Sequence, residues 1–318
     1  MGTSELERCI HYMTFIQFIQ KFPTEESVIQ HYLTIRYPDG ISCNHCGSIK
    51  VYQETKRRKV FSCNDCKSTF SPFKDTIFEK SSTDLRKWMY AIHLFLNGKK
   101  SISGLQLQRE IGVTYKTAWR MLQQIRTAMG NAESQEFFDT IVEIDETYVG
   151  GKPRKKNNHD DDDKGDGPAP KNKRGRGTNK TPVVGVIDRI NKKVYAKIAM
   201  PDYLGKKLTA VQLIDILKTV SKQENNNTVI TDEFRSYNSL SRNNFIHLRI
   251  DHTKAFVDGD IHTNTIESFW ATLKRGVYGI YHHISVKYMQ QYVNEFCFRY
   301  NNRGNDMFNM VLRQSVLV

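Results

Sequence analysis

Two Cys-x2-Cys pairs, Cys43/Cys46 and Cys63/Cys66, stand on either side of residues 47–62, and four thiolates so spaced leave this part of the chain few ways to fold. Each pair can aim two sulfurs at one ion, and four sulfurs close a tetrahedron with no open position. The spacing therefore predicts a structural zinc ribbon over residues 41–72, with Zn2+ on Cys43, Cys46, Cys63 and Cys66. Cys9 and Cys297 stand alone, a usage that suits a reducing compartment better than a disulfide framework. The basic run Lys56, Arg57, Arg58 and Lys59 falls in the hairpin of the expected ribbon, where it either meets phosphates or is solvated surface.

Charge narrows the partner. The 318 residues carry 47 Lys and Arg against 34 Asp and Glu, an excess of 13 positive charges, which favours an anionic partner such as nucleic acid. Membrane fits less well. No stretch approaches the ~18 consecutive apolar residues of a spanning helix, and Glu5 and Glu7 stand where a signal peptide would be basic and then apolar. A soluble, intracellular protein located with DNA is expected, in the cytoplasm or nucleoid of a bacterium or in a eukaryotic nucleus.

The chain reads as modules. Residues 1–40 form a helical segment, with Phe15, Phe18, Ile19 and Phe22 at helix spacing and a helix start at Thr24-Glu25-Glu26. Residues 81–130 read as a helix-turn-helix region. Trp88, Ile92, Phe95 and Leu96 make one apolar face that ends at Asn97-Gly98, and Ile102, Leu105, Leu107 and Ile111 make a second that Gly112 stops. A third helix begins at Thr114 and carries Tyr115, Lys116, Thr117, Arg120 and Arg126 on polar positions, with Lys116, Thr117 and Arg120 as candidate contacts to double-stranded DNA. A plain helical hairpin would show the same pattern.

From Ile141 the pattern becomes α/β. Strands are predicted at 140–149, 182–188 and 193–200, a helix at 208–220, strands at 228–232 and 247–251, and helices at 265–277 and 286–300. That order, three strands, a helix, two strands and a helix, is the one expected of a ribonuclease H-like domain, here over residues 138–302. The stretch 152–180, rich in Lys, Arg, Asp, Gly and Pro, reads as a mobile basic loop, with Arg174 and Arg176 as candidate DNA contacts and Asp160 to Asp163 as a solvated tract. Residues 303–318 are left as a C-terminal tail.

Two predicted strands end by presenting an acid: Ile141-Val142-Glu143-Ile144-Asp145 and Thr228-Val229-Ile230-Thr231-Asp232. A third acid, Glu267, lies on the predicted helix whose packing side is made by Ile266, Phe269, Trp270 and Leu273, and Lys274 returns to the face of Glu267 two turns later. Three carboxylates brought together without a basic partner repel one another, so divalent cations are the natural compensation. Two such ions about 4 Å apart suit in-line displacement at a phosphodiester. Glu143, Glu146 and Glu233 are the neighbouring acids, and strand alternation is expected to let only one of each adjacent pair face the metals. His262 and Asn264 are open to two roles, orienting water or phosphate, or capping.

These residues resemble the IS1595-type transposases with an ISXO2-like DDE domain. The resemblance covers nearly the whole chain. It runs through Tyr37-Pro38-Asp39-Gly40, the block Ile144-Asp145-Glu146-Thr147-Tyr148-Val149-Gly150-Gly151-Lys152, the stretch Lys173-Arg174-Gly175-Arg176-Gly177, the block His262-Thr263-Asn264-Thr265-Ile266-Glu267-Ser268-Phe269-Trp270 with Lys274-Arg275-Gly276, and Phe298-Arg299-Tyr300-Asn301. By that resemblance Asp145, Asp232 and Glu267 would be the catalytic ligands of Mg2+ or Mn2+, and Lys274 the lysine of a DDEK pattern, read here as a phosphate anchor. The resemblance implies an insertion-sequence transposase that binds terminal inverted repeats, cuts strands and joins them to target DNA, working as a homo-oligomer when two ends are paired. A DNA-binding regulator without catalysis and a nuclease that does not join strands are the alternatives.

Overall fold

The computed structural model describes residues 13–131, 138, 141–150, 180–200, 208–221, 228–232, 237, 240, 243, 245–250 and 262–316. The chain divides into two compact units, residues 1–134 with 294–318, and residues 135–293.

The first unit begins with two short helices, α1 (Phe15–Lys21) and α2 (Glu25–Arg36), each opened by a capping box, Thr14 with Gln17 and Thr24 with Ser27. An antiparallel three-stranded sheet follows, β1 (Val51–Gln53), β2 (Phe61–Cys63) and β3 (Thr69–Phe70). Next come α3 (Leu85–Asn97), α4 (Gly104–Ile111) and α5 (Tyr115–Asn131). Gly112 ends α4 in the left-handed conformation at φ +62°, and Thr114 caps α5 by accepting the Thr117 amide, so the expected break falls where the glycine stands. One apolar core joins α1 to α5 through Phe18, Phe22, Tyr32, Trp88, Leu107 and Met121.

The segment expected to be a tail differs. Residues 307–313 form a helix that places Met307, Val311 and Leu312 in that same core, and Val316 bridges Thr76. Burial of a three-residue apolar stripe decides the matter against solvent exposure.

The second unit is a five-stranded mixed sheet. Its strands are β4 (Ile141–Val149), β5 (Thr181–Asp188), β6 (Lys193–Ile198), β7 (Thr228–Thr231) and β8 (Ile246–Arg249), in the order β6-β5-β4-β7-β8. β4, β5 and β6 pair antiparallel, while β7 and β8 run parallel to β4, which is the ribonuclease H-like arrangement expected. On one face, Val142, Ile144, Val184 and Val186 pack against Leu213 and Leu217 of α6 (Ala210–Val220). On the other lies α7 (Asn264–Gly276), continued by a π-helical turn over Val277–Tyr281. Helix α8 (Val286–Asn301) follows; through Val293 it belongs to the second unit, and from Asn294 to the first, where the short helix α9 (Met307–Arg313) completes the chain's elements. Arg174 and Arg176, with the rest of 152–179 in the basic loop, lie outside the described residues.

Candidate active site and metal centres

Parallel pairing brings together Asp145, in the middle of β4, and Asp232, just past the end of β7. β4 and β7 stay in register through Glu143 and Ile230, so two residues further on Asp145 stands beside Asp232. Carboxylate oxygens of Asp145, Glu146 and Asp232 lie within 4.8 Å of one another.

Glu146 was not expected there, because alternation sends it to the face opposite Asp145. The pairing of β4 with β7 stops at Glu143, which leaves the later residues of β4 without that neighbour. At such an edge, side chains from both faces can reach round to Asp232. Glu146 is held there by Tyr237, whose buried hydroxyl donates to Oε2 at 2.9 Å. Burial first, and then the charges of Glu146, Asp145 and Asp232, push the Tyr237 phenol well above its usual range, so it stays a proton donor.

Asp145 accepts a hydrogen bond from Trp270 Nε1 at 3.1 Å. Its carboxyl is pushed up to about 7, by burial foremost and then by the negative charges of Glu146, Asp232 and Glu267. Concentrated charge of this kind is what a divalent cation relieves.

Glu267 lies one turn before Trp270 on α7, exposed, and accepts from Thr263 Oγ1 at 3.1 Å. Its charge is felt at Asp145, but it is not among the three acids within 4.8 Å. Lys274, in the last turn of α7, is exposed.

Behind these acids is a second, paired set. Glu143 is fully buried; its Oε1 meets Arg189 Nε at 2.6 Å and its Oε2 accepts the backbone N–H of Ile266 at 2.9 Å. Arg189 also donates to the His262 carbonyl and approaches His262 Nδ1 at 3.0 Å. The sequence signal for this was a charged residue inside an apolar strand, which demands a partner.

In the ribbon, Cys43 Sγ and Cys66 Sγ are 3.6 Å apart, as are Cys46 Sγ and Cys63 Sγ, and all four sulfurs lie within 4.8 Å of one another. A tetrahedral zinc site with Zn–S near 2.3 Å has edges of about 3.8 Å, so the set fits the ion. The two knuckles repeat one backbone pattern: Cys43 N–H donates to Ser48 and Gly47 N–H to Cys43, while Cys63 N–H donates to Ser68 and Lys67 N–H to Cys63. Gly47 and Lys67 hold the same turn position at φ +73° and +60°. A hydrogen bond from Ser68 lowers the Cys43 thiol toward the thiolate a metal needs, while the neighbouring sulfurs push Cys46 the other way. In the basic run nearby, Arg57 pairs with Glu54 and Lys59 with Glu25.

On α5, Lys116 is exposed, Thr117 joins the helix cap through Thr114 Oγ1 at 3.0 Å, and Arg120 is half-buried and donates to the Glu79 carbonyl at 3.1 Å. Arg126 was expected on the polar side but is buried, with Nε 2.9 Å from Glu295. That acid supplies the partner a buried guanidinium requires.

Residues 138–301 match the ISXO2-like transposase domain, and residues 23–69 match the transposase zinc-ribbon domain. The chain belongs to the ISXO2-like transposases. A protein in transposable element ISH50 of Halobacterium salinarum, itself uncharacterized, is 31% identical over 280 residues, 81% of this chain and 87% of the relative. An uncharacterized transposase-like protein of Haemophilus influenzae is 33% identical over 88 residues, 28% of this transposase and 71% of the relative. Among solved structures, the Mos1 transposase paired-end complex with left transposon end aligns at TM-score 0.29 and 15% identity, over 71% of this transposase and 78% of that chain. The ribbon match begins at Thr24's neighbour Pro23, so the family unit takes in α2 as well as the cysteine knuckles. Among the described residues no helix is long and apolar enough to cross a membrane.

Proposed function

We propose that this transposase binds the terminal inverted repeats of its insertion sequence, cuts a strand at the element's end with water, and uses the freed 3′-OH to attack a phosphodiester of target DNA, displacing the target strand's own 3′ oxygen, with Mg2+ or Mn2+. The observation that carries this reading is the meeting of Asp145 and Asp232, delivered side by side by parallel strands, with Glu267 one helical turn from the tryptophan that touches Asp145. Asp145, Asp232 and Glu267 are the proposed ligands. Glu267 joins them by side-chain rotation, since it is exposed and held by one hydrogen bond from Thr263. Bound divalent ions would activate the attacking oxygen and stabilise the leaving one at the scissile phosphate.

The remaining roles belong to DNA. Lys274 anchors a phosphate, while Lys116, Thr117 and Arg120 of the helix-turn-helix region, with Arg174 and Arg176 of the basic loop, contact the duplex. The ribbon, holding Zn2+ on its four cysteines, and the helices over 81–130 supply end recognition; residues 138–302 supply the chemistry. Pairing two ends calls for a homo-oligomer during the reaction.

The test incubates purified protein, Mg2+ and a DNA carrying the element's own flanking repeats, beside Asp145→Asn and Glu267→Gln. End cleavage with strand joining, lost in both variants, is the expected result. Cleavage without joining would make the protein a nuclease, and binding without cleavage a regulator.

A further inference from the structure

Helix α7 begins without a side-chain cap of its own. Thr263, at its N-cap position, makes no capping hydrogen bond, and its hydroxyl is directed to Glu267 instead. The cap comes from another element. Glu143, on β4, offers Oε2 to the Ile266 N–H near the start of α7 and Oε1 to Arg189, which in turn holds the carbonyl of His262 in the approach to the helix. Glu143 is fully buried and the Arg189 side chain is only 14% exposed.

Placement gives this pair its meaning. Glu143 precedes Asp145 by two residues on the same face of β4, and Ile266 directly precedes Glu267. One carboxylate therefore ties the strand carrying the first proposed ligand to the turn carrying the third. Trp270, bonded to Asp145, makes a second tie one turn further along. A buried ion pair is rarely the cheapest way to stabilise a core, because apolar side chains of the same volume do as well or better; what it adds is a fixed direction. A carboxylate near a helix N-terminus also interacts favourably with the helix dipole.

We propose that Glu143 and Arg189 are positioning residues of this transposase: they lock the start of α7 to β4 so that the backbone at Glu267 is fixed relative to Asp145 and only the Glu267 side chain has to turn for the cation site to form. This rests on the reading of Asp145, Asp232 and Glu267 as ligands.

The full chain is compared with Glu143→Ala, Glu143→Gln and Arg189→Lys, with Glu267→Gln as the reference for a lost ligand. Mn2+ binding is titrated by electron paramagnetic resonance, amide exchange is followed at Ile266 and Glu267, and end cleavage is measured against Mn2+ concentration. Glu143→Ala is expected to exchange faster at the start of α7 and to need roughly ten times more Mn2+ for half-saturation, with its maximal cleavage rate falling less than its Mn2+ affinity. Glu143→Gln and Arg189→Lys, which keep part of the hydrogen bonding, should fall between it and wild type and keep the test open if the alanine variant does not fold. Glu267→Gln should lose Mn2+ affinity with normal exchange. Unchanged exchange and Mn2+ affinity in all three lock variants would overturn the positioning role alone. A wild type that binds Mn2+ but never cuts would overturn the strand-transfer reading alone, and one that binds no Mn2+ would overturn both.

Discussion

Trp270 lies across Gly185 so closely that a Cβ there would meet the indole at 2.7 Å, and the same ring donates to Asp145, the residue paired with Gly185 across β4 and β5. The absence of a side chain at 185 is thus what lets α7 settle onto the sheet at the acids. Gly185→Val should suit strand backbone and still destabilise the protein by about 1–3 kcal/mol through overpacking. In a Trp270→Leu background the same substitution should cost less, because the obstructing ring is gone. Thermal melts of the four proteins of this cycle measure it; strictly additive costs would mean the two residues do not meet.

Asp145 predicts a pH dependence whose sign follows from its raised carboxyl. With a folded value of about 7 against an ordinary value near 4, the folded protein holds this proton more tightly than the unfolded chain does. The resulting stability is full below about pH 4 and is lost as pH rises through about 7. Metal-free protein should accordingly melt lower at pH 8 than at pH 6 on this account, and Asp145→Asn should raise the pH 8 melting temperature while abolishing cleavage. Mg2+ should stabilise the wild type more at pH 8, where no proton competes for the carboxylate, than at pH 6. Equal Mg2+ stabilisation at both values would contradict the coupling.

Zinc should be structural and stoichiometric. The four cysteine sulfurs sit in one cluster while the local sheet has only three short strands, so little else holds the ribbon closed. Elemental analysis is expected to find one zinc per chain, and Cys63→Ser or a strong chelator to release it. Exchange over residues 41–72 should then rise sharply, as expected where metal binding and folding are one event. Normal protection in zinc-free protein would remove the ion from the account.

Much of this was legible in the sequence where one local pattern carried it. The two knuckles, the stop at Gly112 and the apolar strand that Asp232 follows all appear in the structure near the expected residues, whereas Asp145 stands in the middle of β4 and not at its end. Relations between distant segments were not legible. Glu143, Arg189 and His262 share no periodicity, and only the docking of α7 brings them together. Glu146 was assigned away from Asp232 because alternation describes a strand with neighbours on both sides, and β7 ends too early to supply one. Met307, Val311 and Leu312 made too short a stripe to distinguish a packed helix from a polar terminus.

Arg126 and Lys116 stand on the same helix and should behave oppositely. Arg126→Ala leaves Glu295 buried beside Arg299 with one fewer partner, and breaking such a pair costs about 3–5 kcal/mol. Its defect should appear in thermal melts. Lys116→Ala should melt like wild type, bind end DNA more weakly, and reduce the salt slope of binding by about 0.9 if it neutralises one phosphate. A Lys116 variant with an unchanged slope would remove that residue from the interface.

The C-terminal segment gives the sharpest contrast between a tail and a structural element. Besides the buried faces of Met307, Val311 and Leu312, the backbone of Ser315 accepts from the Ile77 amide at 2.9 Å and its hydroxyl meets the Tyr32 hydroxyl at 2.9 Å. Asn309 Oδ1 lies 3.0 Å from His31, so the segment touches α2 as well as the stretch after the ribbon. Each buried apolar side chain of this size contributes about 1.5–3 kcal/mol, against a total stability of about 5–15 kcal/mol for a typical domain. Deleting residues 304–318 should therefore abolish cooperative unfolding of the helical unit, and Leu312→Ala should cost about 2–5 kcal/mol. A truncated protein that melts at the wild-type temperature would show that these contacts add nothing to the fold.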